Sequence, residues 1–138
     1  MAEINTQLTV GEVALSLEDT VLLGPTSILR ESVELMSQKR LGIACIVDDD
    51  GVLLGVFTDG DIRRVLLKTH KPIAALFAED VGEFMTKNPK TVTATTTLAD
   101  AVSMMEAVDV YDLPIVDGDG RCTGLLHVHT ALRYLLNS

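Results

Sequence analysis

The sequence has few basic residues and no long apolar stretch. Lys and Arg together number 11, against 20 Asp and Glu, and the formal net charge is −9. A nucleic-acid surface needs a basic stripe to meet phosphates, so this balance argues against DNA or RNA as a partner. No apolar run approaches the roughly 20 residues that span a bilayer. The opening stretch MAEINTQLTV also lacks the basic and apolar regions of a secretory signal, so no membrane association is expected.

Cysteine is equally scarce. Cys45 and Cys122 are the 2 cysteines of the chain, and both lie in apolar, strand-like runs without metal-ligand spacing. We expect buried, reduced thiols rather than a disulfide, which fits a cytoplasmic protein. Hydrophobic residues make up 47% of the 138 positions, which excludes disorder and allows a compact domain with a real core.

Two stretches of the sequence match each other at a constant offset. ACIVDDDGVLLGVFTDGDIRRVLL (44–67) aligns with LPIVDGDGRCTGLLHVHTALRYLL (113–136), 69 residues later. Upstream of each, VGEVA (10–14) resembles VGEFM (81–85) at an offset of 71. We call these two short stretches the leading segments. A constant offset over this length indicates a tandem duplication.

Each copy begins with a predicted amphipathic helix. Apolar residues recur at i, i+4 and i+7, the spacing of one helix face. They are Leu29, Val33 and Met36 in the first copy and Leu98, Val102 and Met105 in the second. Ser27 and Thr97 are placed as N-caps, and Gly42 follows the first helix as its expected stop.

The rest of each copy reads as strand, turn, strand and helix. IACIV and DLPIV are apolar strands, and DDDG and DGDG are hairpin turns because Asp and Gly tolerate positive φ. The predicted fold class is α+β, with two tandem β-α-β-β-α repeats packed by pseudo-twofold symmetry around one shared core. The expected boundaries are 8–68 for the first repeat, 69–80 for a linker in which Pro72 breaks the helix, and 81–138 for the second repeat.

The stretch GVFTDGDIRR (55–64) carries the candidate chemistry. A strand that runs into a helix N-terminus offers free backbone N–H groups to a phosphate, and Thr58 adds a hydroxyl. Asp61 suits two vicinal hydroxyls because a carboxylate accepts hydrogen bonds from both. The alternative is that Thr58 only caps the helix and Asp61 only occupies its first turn. A calcium site is disfavoured because an EF-hand loop needs a Glu at its twelfth position, and none is present.

These motifs resemble a known family, the CBS domain, here as a tandem pair or Bateman module. The resemblance rests on VGEFMTKNPKTV, LPIVDGDG and GVFTDGDIRR. The family's nucleotide motif is Gly, two mostly apolar positions, Thr or Ser, two free positions and Asp, which Gly55, Thr58 and Asp61 match. The resemblance implies that the hydroxyl of Thr58 contacts phosphate and that Asp61 binds the ribose hydroxyls.

A narrower resemblance is to the C-terminal CBS pair of D-arabinose 5-phosphate isomerases. It rests on RLGIACIVDDDGVLLGVFTDGDIRR and on the His-x-His of GLLHVHTALR. Those enzymes serve the pathway to Kdo, a sugar acid of bacterial lipopolysaccharide. The isomerase domain that precedes their CBS pair is absent from this sequence, so the chain is either a regulatory part of an isomerase or a free-standing relative.

The second copy departs from the nucleotide motif. His127 takes the position of Thr58, and Thr130 takes that of Asp61, so the ribose-binding carboxylate is missing. His127 and His129 either contact a sugar acid or phosphate or are structural, and their rings share a side only if the strand continues to residue 129. The candidate ligand-binding residues are Gly55, Thr58, Asp59, Asp61, Arg64, Val92, Thr93, His127 and His129.

The resemblance implies a non-catalytic regulatory module that binds a ligand in the cleft between the repeats. AMP, ADP, ATP, S-adenosylmethionine and CMP-Kdo all remain open as that ligand, and no cofactor is required. Because no nucleophile–base set is present, an enzyme is disfavoured. The alternative is a structural dimerisation module with a decayed site. Expected partners are a second copy of the chain and a sugar isomerase domain. The second copy is expected because the short final helix of the second repeat would leave Leu135 and Leu136 exposed in a monomer.

Overall fold

The computed structural model describes residues 8–136. These residues form two compact units. The continuous unit is Asp19–Pro89, and the discontinuous unit combines residues 8–18 with residues 90–136. Among the described residues, no helix has the length and apolar character needed to cross a membrane.

The described chain contains both helices and strands. The helices are α1 (Val10–Val13), α2 (Leu29–Lys39), α3 (Asp59–Lys68), α4 (Ile73–Phe77), α5 (Leu98–Val108) and α6 (Val128–Leu136). The strands are β1 (Leu22–Leu23), β2 (Ile43–Val47), β3 (Leu53–Thr58), β4 (Thr86–Lys87), β5 (Asp112–Val116) and β6 (Cys122–His127). The mixed composition and the order of the elements confirm the predicted α+β class.

The continuous unit is built on a four-stranded sheet in the order β1-β2-β3-β4. Strand β1 is parallel to β2, whereas β2–β3 and β3–β4 are antiparallel. All five residues of the central strand β2 are buried, so both faces of the strand are covered, which agrees with its unbroken apolar sequence. Its core cluster consists of Val21, Leu23, Leu29, Met36, Ala44, Ile46, Phe57, Leu76 and Val81.

The discontinuous unit is built on the antiparallel hairpin of β5 and β6. Single bridges extend this hairpin on both sides, from Val92 to Ile115 and from Leu15 to Leu125. Its core cluster consists of Val10, Val13, Val92, Leu98, Ala101, Met105, Leu113, Ile115, Leu126, Ala131 and Leu135. Each unit therefore has an apolar cluster of its own, where the sequence suggested one shared core.

The structure repeats itself at the offset found in the sequence. A register shift falls at Ile46/Val47 in the first hairpin and at Ile115/Val116 in the second. Arg40 and Asp109 both adopt positive φ directly after α2 and α5, at 55° and 56°. Because irregular features recur 69 positions apart, the duplication extends to backbone detail and not only to the pattern of apolar residues.

The two hairpin turns are held by the same aspartate position. The carboxylate of Asp48 accepts hydrogen bonds from the backbone of Asp50 and Val52, at 2.9 and 3.0 Å. Asp117 does the same for the second turn. The glycines that close them have φ of 85° and 80°, a backbone region that favours glycine. The predicted turns are confirmed.

The leading segments join the unit formed by the other repeat. Leu15, after the first leading segment, pairs with Leu125 in the discontinuous unit. Strand β4, after the second leading segment, pairs with β3 in the continuous unit. The repeat boundaries expected from the sequence follow internal similarity and stay a prediction. The compact units have different boundaries because each leading segment packs in the unit that contains the rest of the other repeat.

Several local expectations are wrong. Ile28, not Ser27, is the N-cap of α2, whereas Thr97 caps α5 as expected and accepts the backbone N–H of Asp100 at 3.2 Å. The first helix ends through the left-handed backbone of Arg40, two residues before Gly42. Leu135 is only 7% exposed because it belongs to the core of its unit, although Leu136 is 55% exposed.

The predicted linker also contains a helix. α4 follows Pro72, and its residue Leu76 is 2% exposed within the core of the continuous unit. Lys71 and Glu79 form an ion pair across this helix, and the hydrogen bond to Glu79 raises the pKa of Lys71. The segment is therefore packed structure rather than a bare connection. Cys45 and Cys122 are buried and are not joined in a disulfide.

Candidate functional site

Thr58 and Asp61 form a capping box where β3 turns into α3. The hydroxyl of Thr58 accepts the backbone N–H of Asp61 at 3.2 Å. In return, the carboxylate of Asp61 accepts the backbone N–H of Thr58 at 2.9 Å and its hydroxyl at 3.1 Å. Two backbone donors that a helix N-terminus leaves without partners are thereby satisfied.

Two further side chains reach the carboxylate of Asp61. Arg64 donates to Oδ1 at 2.5 Å, and the hydroxyl of Thr86 donates to Oδ1 at 3.0 Å. Asp61 is 5% exposed, one of three polar or charged residues buried in the described chain. A buried carboxylate is stable only when it is paired and hydrogen-bonded, and these donors meet that requirement.

Thr86 is the member of this cluster that sequence reasoning missed. It lies on β4, 25 positions after Asp61, in a stretch that the sequence assigned to the second repeat. The available signal was the change of offset from 69 to 71 upstream of each repeat, which marks the leading segments as a separate block. Without the strand pairing, nothing in the sequence brings Thr86 to Asp61.

Gly55 has a packing role that the motif alone did not suggest. It lies inside β3 opposite Lys87, and a Cβ at this position would lie 2.5 Å from the carbonyl oxygen of Thr86. The glycine of the nucleotide motif is therefore required by the close approach of β4. Asp59 is exposed at the start of α3, and its carboxylate lies against Gly42. Among the described contacts, it has none with Asp61.

In the discontinuous unit, the corresponding junction holds a different cluster. Nδ1 of His127 lies 2.7 Å from a carboxylate oxygen of Asp112, its partner across the β5–β6 hairpin. The ring of His129 meets that of His127 edge to face, with centroids 5.1 Å apart. The strand ends at His127, so the condition set by the sequence, a strand continuing to residue 129, is not met. The rings nevertheless meet because the chain turns into α6 at this point.

Asp112 was also missed by sequence reasoning. Its equivalent in the first repeat is Ile43, which lies opposite Thr58. The two repeats therefore differ at both positions of one cross-strand pair, Ile43–Thr58 against Asp112–His127. The sequence signal for this pair was a charged residue, Asp112, at the start of an otherwise apolar strand.

Among the described residues of the discontinuous unit, the polar cluster around Asp61 has no counterpart. At the equivalent positions, Thr130 replaces Asp61, Leu15 replaces Thr86, and Arg133 is retained. No ion pair involving Arg133 occurs within residues 8–136. Over the same range, no group of three or more His, Cys, Asp or Glu is arranged to hold a metal ion.

Val92 and Thr93 precede α5 in the discontinuous unit. Val92 is 4% exposed and pairs with Ile115, which makes it part of the core. Thr93 is exposed, and its hydroxyl lies 3.2 Å from those of Thr95 and Thr96. The structure thus gathers Thr58, Asp61 and Arg64 in one unit and His127 with His129 in the other, while a ligand role for each candidate residue stays a prediction.

Known proteins resemble the chain in sequence. An uncharacterised protein of Chlamydia pneumoniae is 40% identical over 102 residues, which cover 72% of this chain and 30% of that protein. The arabinose 5-phosphate isomerase KdsD of Pseudomonas aeruginosa is 38% identical over 113 residues, covering 82% of this chain and 33% of that enzyme. The chain thus spans about a third of the length of these curated relatives.

A solved structure resembles the chain over nearly its whole length. CBSX2 of Arabidopsis thaliana, in complex with AMP, superposes with a TM-score of 0.80 at 28% identity and covers 91% of this chain and 94% of that one. The sequence model of the CBS domain matches residues 10–68 and 81–137. Family match and fold agree with the resemblance seen in the motifs, and the chain belongs to the CBS domain family, with two CBS domains in tandem.

Proposed function

We propose that the chain is a non-catalytic regulatory module that binds an adenosine nucleotide at the β3–α3 junction of the continuous unit. The observation that carries the proposal is the buried carboxylate of Asp61 beside the hydroxyl of Thr58 at a helix N-terminus. A carboxylate suits vicinal sugar hydroxyls, and the helix N-terminus with its hydroxyl suits a phosphate. The AMP complex of CBSX2, a protein 28% identical to this chain, supports an adenosine ligand.

The regulated partner in this proposal is a sugar-phosphate isomerase domain. The support is the 38% identity to KdsD of Pseudomonas aeruginosa over about a third of that enzyme. A regulatory ligand acts only if it binds two states of the whole protein with different affinity. CMP-Kdo, a nucleotide-linked form of the sugar acid at the end of the Kdo pathway, is the second ligand candidate. The two buried cysteines form no disulfide with each other, which fits a reducing cytoplasm.

One observation favours the alternative of a structural module without a ligand. The capping box, Arg64 and Thr86 already supply hydrogen bonds to Asp61, so the carboxylate is stable in the free protein. A measurement of stability with and without ligand separates the two functions. A ligand that binds the folded state stabilises it by about 2.7 kcal/mol at a hundred times its Kd, whereas a module without a ligand site shows no such gain.

We expect AMP to raise the melting temperature of the purified chain and to titrate with one site per chain. One site is expected because Thr130 replaces the carboxylate in the second repeat. The measurement is a thermal shift assay with AMP, ADP, ATP, S-adenosylmethionine and CMP-Kdo, followed by calorimetry. Ribose 5-phosphate and inorganic phosphate serve as control ligands. A melting temperature unchanged by all five ligands would favour the structural alternative.

The proposal includes a homodimer of the chain. Leu132 and Leu136, one turn apart on α6, are 40% and 55% exposed and form an apolar surface at the end of the described chain. Burying such side chains against a second copy would be favourable by the hydrophobic effect. Light scattering at tens of micromolar, a range that detects weak dimers, is expected to give twice the mass of 14.9 kDa. A monomer mass at that concentration would contradict the dimer.

A further inference from the structure

The carboxylate of Asp61 has no acceptor capacity left in the free protein. Four donors reach it: the backbone N–H and the hydroxyl of Thr58, the hydroxyl of Thr86 and a guanidinium N–H of Arg64. A carboxylate offers about four lone-pair positions. A sugar hydroxyl therefore binds to Asp61 only if at least one of the donors already present leaves it.

The four donors differ in how easily they leave. The N–H and the hydroxyl of Thr58 both belong to the capping box, and Thr86 is fixed on β4, where it pairs with Val56. Arg64 is different, because its side chain is 53% exposed. Its guanidinium folds back over the first turn of α3, where a Cβ on Gly60 would lie only 3.3 Å from Nη1. The long side chain of Arg64 can swing into solvent without moving the backbone.

We propose that Arg64 is a specificity-determining residue that occupies Asp61 in the free protein and moves to the anionic group of the bound ligand. The inference rests on the proposed function and adds a selection rule to it. Breaking the ion pair between Arg64 and Asp61 costs a charge-assisted hydrogen bond. A nucleoside monophosphate offers Arg64 a new anion in exchange, whereas an uncharged nucleoside offers none. The site accordingly selects phosphorylated over unphosphorylated nucleosides.

The second repeat shows that the ion pair is not a requirement of the fold. Arg133 occupies the position of Arg64 on α6, but Thr130 stands at the position of Asp61. The closing helix forms there without a carboxylate beneath the arginine. The contact between Arg64 and Asp61 is therefore specific to the unit that carries the nucleotide motif.

The test measures the affinities for AMP and for adenosine by calorimetry, in the wild-type chain and in the Arg64→Met variant. Met keeps an unbranched stem but removes the charge and the donors. We expect the affinity for AMP to fall about tenfold or more, the value of a lost charge-assisted contact. The affinity for adenosine is expected to stay equal or to rise, because the competitor at Asp61 is gone. The AMP-to-adenosine affinity ratio then falls by at least about tenfold.

Arg63→Met is the matched control. It removes the same charge from the neighbouring exposed position of α3, and Arg63 is in none of the ion pairs of residues 8–136. An unchanged ratio in Arg64→Met, or a ratio that falls equally in Arg63→Met, overturns the inference while the proposed function stands. A parallel fall for AMP and adenosine also overturns it, because it makes Arg64 a structural support of Asp61. A wild-type chain that binds no AMP overturns both proposals.

Discussion

Gly55→Ala and Gly124→Ala are each expected to lower the free energy of unfolding by about 1–3 kcal/mol, the usual cost of overpacking. A Cβ on Gly55 would lie 2.5 Å from the carbonyl oxygen of Thr86, and a Cβ on Gly124 would lie 2.5 Å from that of Leu15. Both oxygens belong to backbone that is paired with the strand itself, so they cannot move aside without loss of those hydrogen bonds.

The sign of the change in unfolding free energy distinguishes a glycine in close contact from a glycine in open space. Replacing Gly by Ala where the folded backbone accepts it stabilises a protein by about 0.4–1 kcal/mol through the unfolded chain. Gly118→Ala is the matched control, since Gly118 has no atom within 4 Å of its Cβ position. Urea denaturation of the three variants measures the differences. If Gly55→Ala and Gly124→Ala are as stable as Gly118→Ala, the close approach of Thr86 and Leu15 is wrong.

The sequence predicted the parts of the fold that depend on local patterns. Leu29 and Met36 are buried on α2, as are Leu98 and Met105 on α5, because the spacing of apolar residues defines a helix face without reference to the rest of the chain. The turns at Asp48 and the aspartate 69 positions later follow from the same local chemistry.

The sequence did not predict features that depend on contacts between distant residues. Thr86 reaches Asp61 only through the pairing of β4 with β3, and Leu15 reaches β6 by a similar exchange. Internal similarity placed each leading segment with the repeat that follows it. In the structure each leading segment packs with the other repeat, and the periodicity of apolar residues carries no information about that packing.

The candidate site shows the same division. The sequence offered the cap formed by Thr58 and Asp61 as one of two interpretations. It could do so because the two residues are three positions apart and need no distant partner. The pairing of His127 with Asp112 needs the register of a hairpin, in which the two residues are 15 positions apart. Sequence reasoning found the histidines and missed the carboxylate that holds one of them.

Asp61→Ala is expected to lower the affinity for AMP by about tenfold to a hundredfold, because charge-assisted hydrogen bonds to the sugar are lost. The structure adds a second effect that the sequence did not suggest. From the sequence, a carboxylate in the first turn of a helix contributes only about 0.3–1 kcal/mol. In the structure it also completes a capping box and holds Arg64 and Thr86, so we expect the free energy of unfolding to fall by about 1–3 kcal/mol.

Thr86→Val separates these two effects. Valine has nearly the shape of threonine but removes one donor from Asp61 and leaves the carboxylate in place. We expect a loss of stability of about 1 kcal/mol, the net value of one hydrogen bond, with AMP affinity retained within a few-fold. Urea denaturation gives the stability of both variants, and calorimetry gives their affinity for AMP.

The comparison decides between a nucleotide site and a structural cap. If Asp61 binds ribose, Asp61→Ala loses far more affinity than Thr86→Val, whatever the loss of stability in each. If Asp61 is only a cap, both variants lose stability while their affinity for AMP equals that of the wild-type chain. The second result would make the hydrogen bonds of Asp61 to Thr58, Arg64 and Thr86 its whole role, and the module would then be a structural one.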